Sequence, residues 1–273
     1  MSNMPSKGTA LITGASSGIG AVYADRLAKR GYDLILVARS EARLKSLSER
    51  LTKETAQSAR ALRANLNDKA DLAKVEGTLR DDPTIAMLVN NAGTASITPL
   101  LNSDVATMDD MIALNVRALT RLTYAAAPKF VARGAGTIIN IASVVGVSPE
   151  TLNGVYGATK AYVLALSHSL QHELADKGIR VQAVLPGATA TDIWELAGLP
   201  WQKLPASIVM SVDDMVDAAL SGLDQGELVT IPSLQDGDEW TRFEAARRAL
   251  SQRFGNSAPA PRYRSGAHAG QPV

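Results

Sequence analysis

Residues 9–32 read TALITGASSGIGAVYADRLAKRGY: a short strand-like run, a turn holding Gly14, Gly18 and Gly20, and then a helical pattern. A strand that passes through a glycine turn into a helix leaves the helix N-terminus, with its unpaired N–H groups and positive dipole end, facing whatever the turn approaches. Placed after the first strand of a βαβ unit, such a turn suits the phosphates of a nucleotide. The spacing is TGxxxGxG rather than GxGxxG, and a bare glycine turn also has a purely structural reading, so the rest of the chain must place it.

Outward from this stretch, DLILVA (33–38), RALRA (60–64), AMLVNN (86–91), GTIINIAS (136–143), IRVQAVLP (179–186) and LVTIP (228–232) are further strand candidates. Runs this apolar mark strands covered on both faces. Helical patterns fill about 18–30, 41–57, 68–80, 105–132, 155–177 and 212–225. The alternation predicts a doubly wound α/β fold, a parallel sheet of about seven strands with helices on both faces and right-handed crossovers. Ser211 with Asp214 three residues on predicts a helix cap, and Gly178 after Lys177 a helix stop. No repeat or shift in composition marks a second domain, so 1–256 is expected to fold as one. Residues 257–273, rich in Pro, Gly and Ala, are expected to be a flexible tail.

An apolar share of 46% over 273 residues can fill a large core. A formal net charge of +1 gives no long-range field for nucleic acid or anionic lipid, and neither partner is expected. With no cysteine and three histidines, disulfides, thiol catalysis and metal sites are not expected either. MSNMPSKGT has no basic stretch followed by an apolar one, which argues against a signal peptide. The charge-free run 85–103 contains Asn90, Asn91, Gly93 and Pro99, poor residues for a lipid-facing helix. A cytoplasmic protein is expected.

About twenty residues past the glycines, where an acidic side chain would bind a ribose hydroxyl, the second strand ends in Ala38 and Arg39. A guanidinium without a carboxylate favours a ribose 2′-phosphate, hence NADP(H) over NAD(H), with Ser40 and Arg43 able to assist. A merely solvated arginine is the plainer reading. Further on, NGVYGATKAY (153–162) puts Tyr156 and Lys160 on one face of a small-residue helix, either as a solvated contact or as a tuned acid. Asn115 in MIALNVRAL sits where helix propensity disfavours it, by function or as an ordinary polar position.

Taken together, TGASSGIG (13–20), NNAG (90–93), Asn115, Ser143, YGATK (156–160) and PGATAT (186–191) resemble the short-chain dehydrogenase/reductase family, in order and from the first strand through Thr191. The resemblance implies a Rossmann fold of the compact, single-domain, NADP(H)-preferring oxidoreductase branch. It makes Tyr156 the general acid of carbonyl reduction or the base of alcohol oxidation, and Lys160 the group that lowers the phenol pKa and holds the nicotinamide ribose. It makes Ser143 the hydrogen-bond partner of the substrate oxygen, and Asn115 a residue that perturbs its helix and holds a relay water. It implies a cofactor held by Gly14, Ser16, Ser17, Gly18, Ile19 and Gly20, by Arg39, by Asn65 and Leu66 near the adenine, and by Asn91, Ala92 and Gly93. Tyr156, Lys160, Pro186, Gly187, Thr189 and Thr191 complete the set around the nicotinamide. Asn65 stands where the family often has Asp, which keeps an acceptor and loses the charge. The NNAG and PG stretches also have plain readings as turns.

The family's substrate lid would fall at about 188–212, with Trp194, Leu196, Leu199, Trp201 and Leu204, and Val144, Val145, Val147 and Leu152 flank the site. This apolar lining suggests a hydrophobic ketone or aldehyde, or the matching secondary alcohol, although the same residues would also suit a packing seam or subunit interface. By analogy, helices 105–132 and 155–177, with Ala158, Ala161 and Ala165 allowing close approach, form the interface of a homodimer or homotetramer. The alternative to an enzyme is a catalytically silent NADP(H)-binding sensor or scaffold.

Overall fold

A computed structural model of the chain describes residues 7–263. In chain order the elements are β1 (Thr9–Thr13), α1 (Gly18–Lys29), β2 (Asp33–Ala38), α2 (Glu41–Thr55), β3 (Ala59–Arg63), α3 (Lys69–Asp81), β4 (Ile85–Asn90) and α4 (Val105–Ile112). There follow α5 (Leu119–Arg133), β5 (Gly136–Ile141), α6 (Gly154–Leu174), β6 (Ile179–Val184), α7 (Ile193–Leu196), α8 (Val212–Asp224), β7 (Val229–Thr230) and α9 (Gly237–Ser251), with short 3₁₀ turns between some of them. The seven strands form one parallel sheet, as the sequence pattern predicts, and their order is β3-β2-β1-β4-β5-β6-β7.

Successive strand residues face opposite sides. Ile12, Leu36, Val89 and Ile139 pack beneath α1, α2 and α8 with Tyr23, Leu27, Leu44 and Met215. Leu11, Ile35, Leu88 and Ile138 pack beneath α3 and α5 with Leu72, Val75, Leu122 and Phe130. Strands buried on both faces have no polar side, which is why their sequences read as continuous apolar runs. The order reverses between β1 and β4, and a crevice at such a switch point is where open α/β sheets bind ligands.

The caps follow the sequence: Ser211 Oγ accepts the Asp214 N–H at 3.0 Å, and Gly178 turns the chain after α6 with φ +76°. Besides the four-residue α7, which no expected helix covers, two helices depart from it. The pattern at 105–132 reads as one helix, but residues Ala113–Ala118 form a π turn between α4 and α5. α9 has no counterpart among the expected helices, because Glu244 is its only buried residue and an apolar stripe is missing.

Two compact units divide after Ser233, whereas the sequence reading draws its boundary after 256. The second unit, described over 234–263, contains α9 with Trp240 stacked on Phe243 and a terminal turn at Pro261–Tyr263. The expected tail at 257–273 is described only to Tyr263. No helix among the described residues is long and apolar enough to cross a membrane.

Candidate active site

A cleft of about 1070 Å³ opens at the carboxyl ends of the strands in the first unit. Of the residues expected to be catalytic or to hold the cofactor, it brings together all except Gly20 and Asn115, which stand behind its wall.

The nucleotide end is built from the β1–α1 turn and the end of β4. Thr13 Oγ1 accepts the N–H groups of Asn91 and Ala92, both at 3.0 Å, and Asn91 Nδ2 donates to the carbonyls of Thr13 at 2.8 Å and Gly14 at 3.2 Å. Gly14 has φ +67°, and a Cβ there would lie 2.7 Å from Asn91 Nδ2; one on Gly20 would lie 2.4 Å from the Gly14 carbonyl. Gly20 therefore permits the close packing of the turn rather than lining the cleft. Ser17 precedes α1 without a side-chain cap, so the first N–H groups of the helix face the cleft for an incoming anion.

At the end of β2, Arg39 and Arg43 are exposed, line the cleft and have no acidic partner among the described residues. Leu66 is buried and Asn65 exposed. Asn65 Oδ1 accepts the Asn67 N–H at 3.2 Å, which ties it into a local turn; the second lone pair of that oxygen and the amide nitrogen remain for a ligand. The turn, Ser17 and the two arginines fit a phosphorylated dinucleotide.

At the other end, Ser143 follows β5. Its Oγ donates to the Pro186 carbonyl at 3.3 Å and accepts the Val145 N–H at 3.4 Å. A Cβ on Gly146 would come within 2.9 Å of the Lys160 carbonyl carbon and oxygen, so glycine lets this turn lie directly on α6. Tyr156 and Lys160 point inward, 8% and 6% exposed, which removes the reading of a solvated pair. Lys160 Nζ donates to the Ile141 carbonyl at 2.9 Å and lies 5.8 Å from the centre of the Tyr156 ring.

Burial raises the Tyr156 phenol above its ordinary value, with the neighbouring Ser143 hydroxyl offsetting part of that, and it pushes the Lys160 amine down to about 8. The sequence reading expects the ammonium to lower the phenol. In the cofactor-free protein desolvation wins instead, because both groups share the dry pocket.

The Lys160 shift has a consequence for stability. Lys160 holds its proton less tightly folded, at about 8, than unfolded, near its ordinary 10.5, so between those values the unfolded chain carries more protons and stability rises with pH. Below pH about 8 both states are protonated and the buried ammonium exerts its full cost. Urea unfolding at about pH 7.5 and about pH 9.5 should show the wild type gaining about 2 kcal/mol over Lys160→Met across that interval. Parallel behaviour of the two proteins would contradict the shift.

Asn115, 2% exposed, lies in the π turn. Its Oδ1 accepts the Thr94 N–H and its Nδ2 donates to the Thr94 carbonyl, both at 2.9 Å, and to Thr159 Oγ1 at 3.1 Å. It thus ties the chain beyond Gly93 to α6.

Residues 188–210, within the stretch expected to be the substrate lid, close on themselves. Met210 N–H donates to the Ala188 carbonyl at 2.9 Å, Ala190 N–H to the Met210 carbonyl at 3.0 Å, and Trp194 Nε1 to the Thr189 carbonyl at 3.0 Å. Thr189 is buried with its hydroxyl donating to the Gly187 carbonyl at 3.2 Å, and the Thr191 methyl faces Gly18. Of the apolar residues expected around the substrate, Trp194, Leu196, Leu199, Leu204, Val144, Val145 and Leu152 line the cleft; Trp201 and Val147 do not. Ala95, Ile97, Ile193 and Ile208 join them.

The sequence reading assigns no role to Thr13, Gly146 or Asn153. Asn153 caps α6, its Oδ1 accepting the N–H groups of Val155 at 2.9 Å and Tyr156 at 3.2 Å. An Asn at the start of a helical pattern is a capping signal, and was the one available clue.

The family model for short chain dehydrogenases matches residues 8–198. An uncharacterized oxidoreductase of Staphylococcus epidermidis is 31% identical over 223 residues, 81% of this chain and 93% of that protein. The structure of a short-chain dehydrogenase from Sphingobium yanoikuyae in complex with NADPH is 50% identical with a TM-score of 0.92, covering 96% of this chain and 100% of that one. The bulky-bulky ketone specific alcohol dehydrogenase from Comamonas testosteroni is 45% identical with a TM-score of 0.87, over 96% of this chain and 99% of that one.

Proposed function

Because the chain belongs to the short-chain dehydrogenase family and is an oxidoreductase of that family, we propose that it reduces bulky apolar ketones or aldehydes with NADPH, or oxidises the matching secondary alcohols with NADP⁺, using Tyr156 as general acid or base. The observation that carries this reading is that one cleft holds an anion cradle at one end and the buried Ser143, Tyr156 and Lys160 at the other.

The turn at Gly14, Ser16, Ser17, Gly18 and Ile19 would hold the pyrophosphate, with Gly20 and Asn91 shaping it. Arg39, assisted by Arg43, would hold the ribose phosphate, and Asn65, Leu66, Ala92 and Gly93 the adenosine side. Lys160, Pro186, Gly187, Thr189 and Thr191 would orient the nicotinamide. When bound, the cofactor supplies the hydride.

The chain's own residues handle the proton. Ser143 Oγ stabilises the charge that develops on the substrate oxygen. Burial keeps the Tyr156 phenol protonated, the form in which it donates its proton to that oxygen, and the Lys160 ammonium stabilises the phenolate left behind. Asn115 holds the loop behind these groups in place. The lid places apolar side chains over the cleft and keeps water from it.

The apolar lining, together with a 45% identical relative described as specific for bulky-bulky ketones, supports a carbonyl flanked by two large groups. The NADPH of the 50% identical relative and the unpaired arginines after β2 support the phosphorylated cofactor. A homodimer or homotetramer through α5 and α6 fits the exposure of Tyr124, Ala158, Tyr162 and Ala165.

The test is to titrate NADPH and NADH and then follow NADPH consumption over a panel of ketones graded in bulk. Consumption rising with ketone bulk is expected. Tight NADPH binding with no turnover of any carbonyl, and none of any secondary alcohol with NADP⁺, would leave the sensor or scaffold reading.

A further inference from the structure

Asn153 lies outside the cleft yet is bonded to two parts of its wall. Its Oδ1 fixes the first turn of α6 beneath the phenol through the N–H groups of Val155 and Tyr156. Its Nδ2 donates to the Thr98 carbonyl at 2.5 Å. Thr98 ends a segment, 94–98, whose beginning Asn115 holds through both backbone groups of Thr94. The segment has no regular secondary structure, so these asparagine amides largely set where it lies.

Between the two anchors stand Ala95 and Ile97, which line the cleft. Ala95 also packs on the cluster of Met108, Met111, Val145 and Tyr156 that seats the phenol ring. Asn153 is itself 5% exposed, so losing its bond leaves the Thr98 carbonyl without an easy replacement.

We infer that Asn153 is a positioning residue for substrate shape: one amide sets both the seat of the Tyr156 phenol and the place of the Ala95–Ile97 wall. Acid and wall then keep a fixed spacing, and a ketone reaches the phenol only when one of its flanks fits against that wall. The selectivity half of this inference rests on the ketone reductase reading above.

Two variants separate the two bonds. Asn153→Asp keeps an acceptor at the α6 N-terminus, where a carboxylate is favoured, but has no donor for Thr98. Asn153→Ser also caps, without charge and with a shorter side chain. In hydrogen exchange of the cofactor-free protein, both should speed exchange across 94–99 and leave 153–160 protected. Both should lower kcat/KM for a diaryl ketone about tenfold more than for a small dialkyl ketone. Asn153→Ala, which loses both bonds, should in addition loosen 153–160 and lower kcat for both ketones.

A residue that only capped α6 would alter the two ketones alike and would leave 94–99 unchanged. Wild-type exchange across 94–99 in both the Asp and Ser variants would overturn the inference, as would a bulky-to-small ratio within about twofold of the wild type. If the wild type reduces neither ketone, the functional reading fails by itself. The exchange comparison still decides whether Asn153 holds the wall.

Discussion

Tyr156→Phe should lower kcat for ketone reduction by about 10³-fold while leaving the NADPH dissociation constant within about twofold. The substitution removes one oxygen from a ring that is otherwise held by packing against Met108, Met111 and Val145, so the wall of the cleft keeps its shape. What disappears is the proton donor. Water is a poor replacement in a pocket where Tyr156 is 8% and Lys160 6% exposed, because it would have to occupy the phenol's position without the ring that defines it. Ser143 remains to polarise the carbonyl, which leaves residual turnover rather than none. Stopped-flow measurement of NADPH consumption, with binding read separately by cofactor fluorescence, separates the two effects. Turnover equal to wild type would remove Tyr156 from the chemistry.

Arg39→Asp should weaken NADPH binding by about 100-fold and NADH by less than about threefold, because only NADPH carries the 2′-phosphate with which a guanidinium makes charge-assisted bonds. The size of the effect has two sources. The variant loses an exposed guanidinium that has no carboxylate partner among the described residues, and it sets a carboxylate against a phosphate. Arg43, in the first turn of α2, remains and limits the loss. An acidic side chain at this place would also accept from a ribose hydroxyl, so the cofactor preference should move toward NADH. Equal weakening of both cofactors in equilibrium titrations would show that Arg39 acts on the fold rather than on the phosphate.

Most of the sheet was readable because burial on both faces writes itself into the sequence as apolar runs, and the strands fall within a residue or two of where those runs lie; the edge strand β3 is the exception, with only Leu62 buried although its run was expected to be covered on both faces. The candidate catalytic residues rest on a different signal, a set of short motifs in fixed order, and one cleft brings Ser143, Tyr156 and Lys160 together. Neither signal reaches residues that act through shape. Gly146 matters because its missing Cβ lets a turn rest on the α6 backbone, and nothing in SVVGV announces which backbone it meets. Asn65 was placed near the right end of the cleft, but the use of its oxygen depends on a local turn at Asn67 that composition does not specify. α9 was invisible because a helix exposed nearly all round has no periodic apolar stripe. The direction of the phenol pKa was misjudged because spacing gives the nearness of a cation and not the dryness of the pocket they share.

The π turn at Ala113–Ala118 acts as a phase shift in a rod. Before it, α4 presents Met108 and Met111 to the cluster around Tyr156; after it, α5 presents Leu122, Ala125 and Phe130 to the core beneath the sheet. A continuous α-helix would carry one stripe past both surfaces at a single angle, whereas a turn widened by about one residue lets each half address its own. What is fixed between Met111 and Leu122 is therefore a count as much as a set of residues. Substitutions there can be absorbed one at a time, but a single insertion or deletion would rotate one half of the rod against the other, and either the pocket around Tyr156 or the core would lose its facing side.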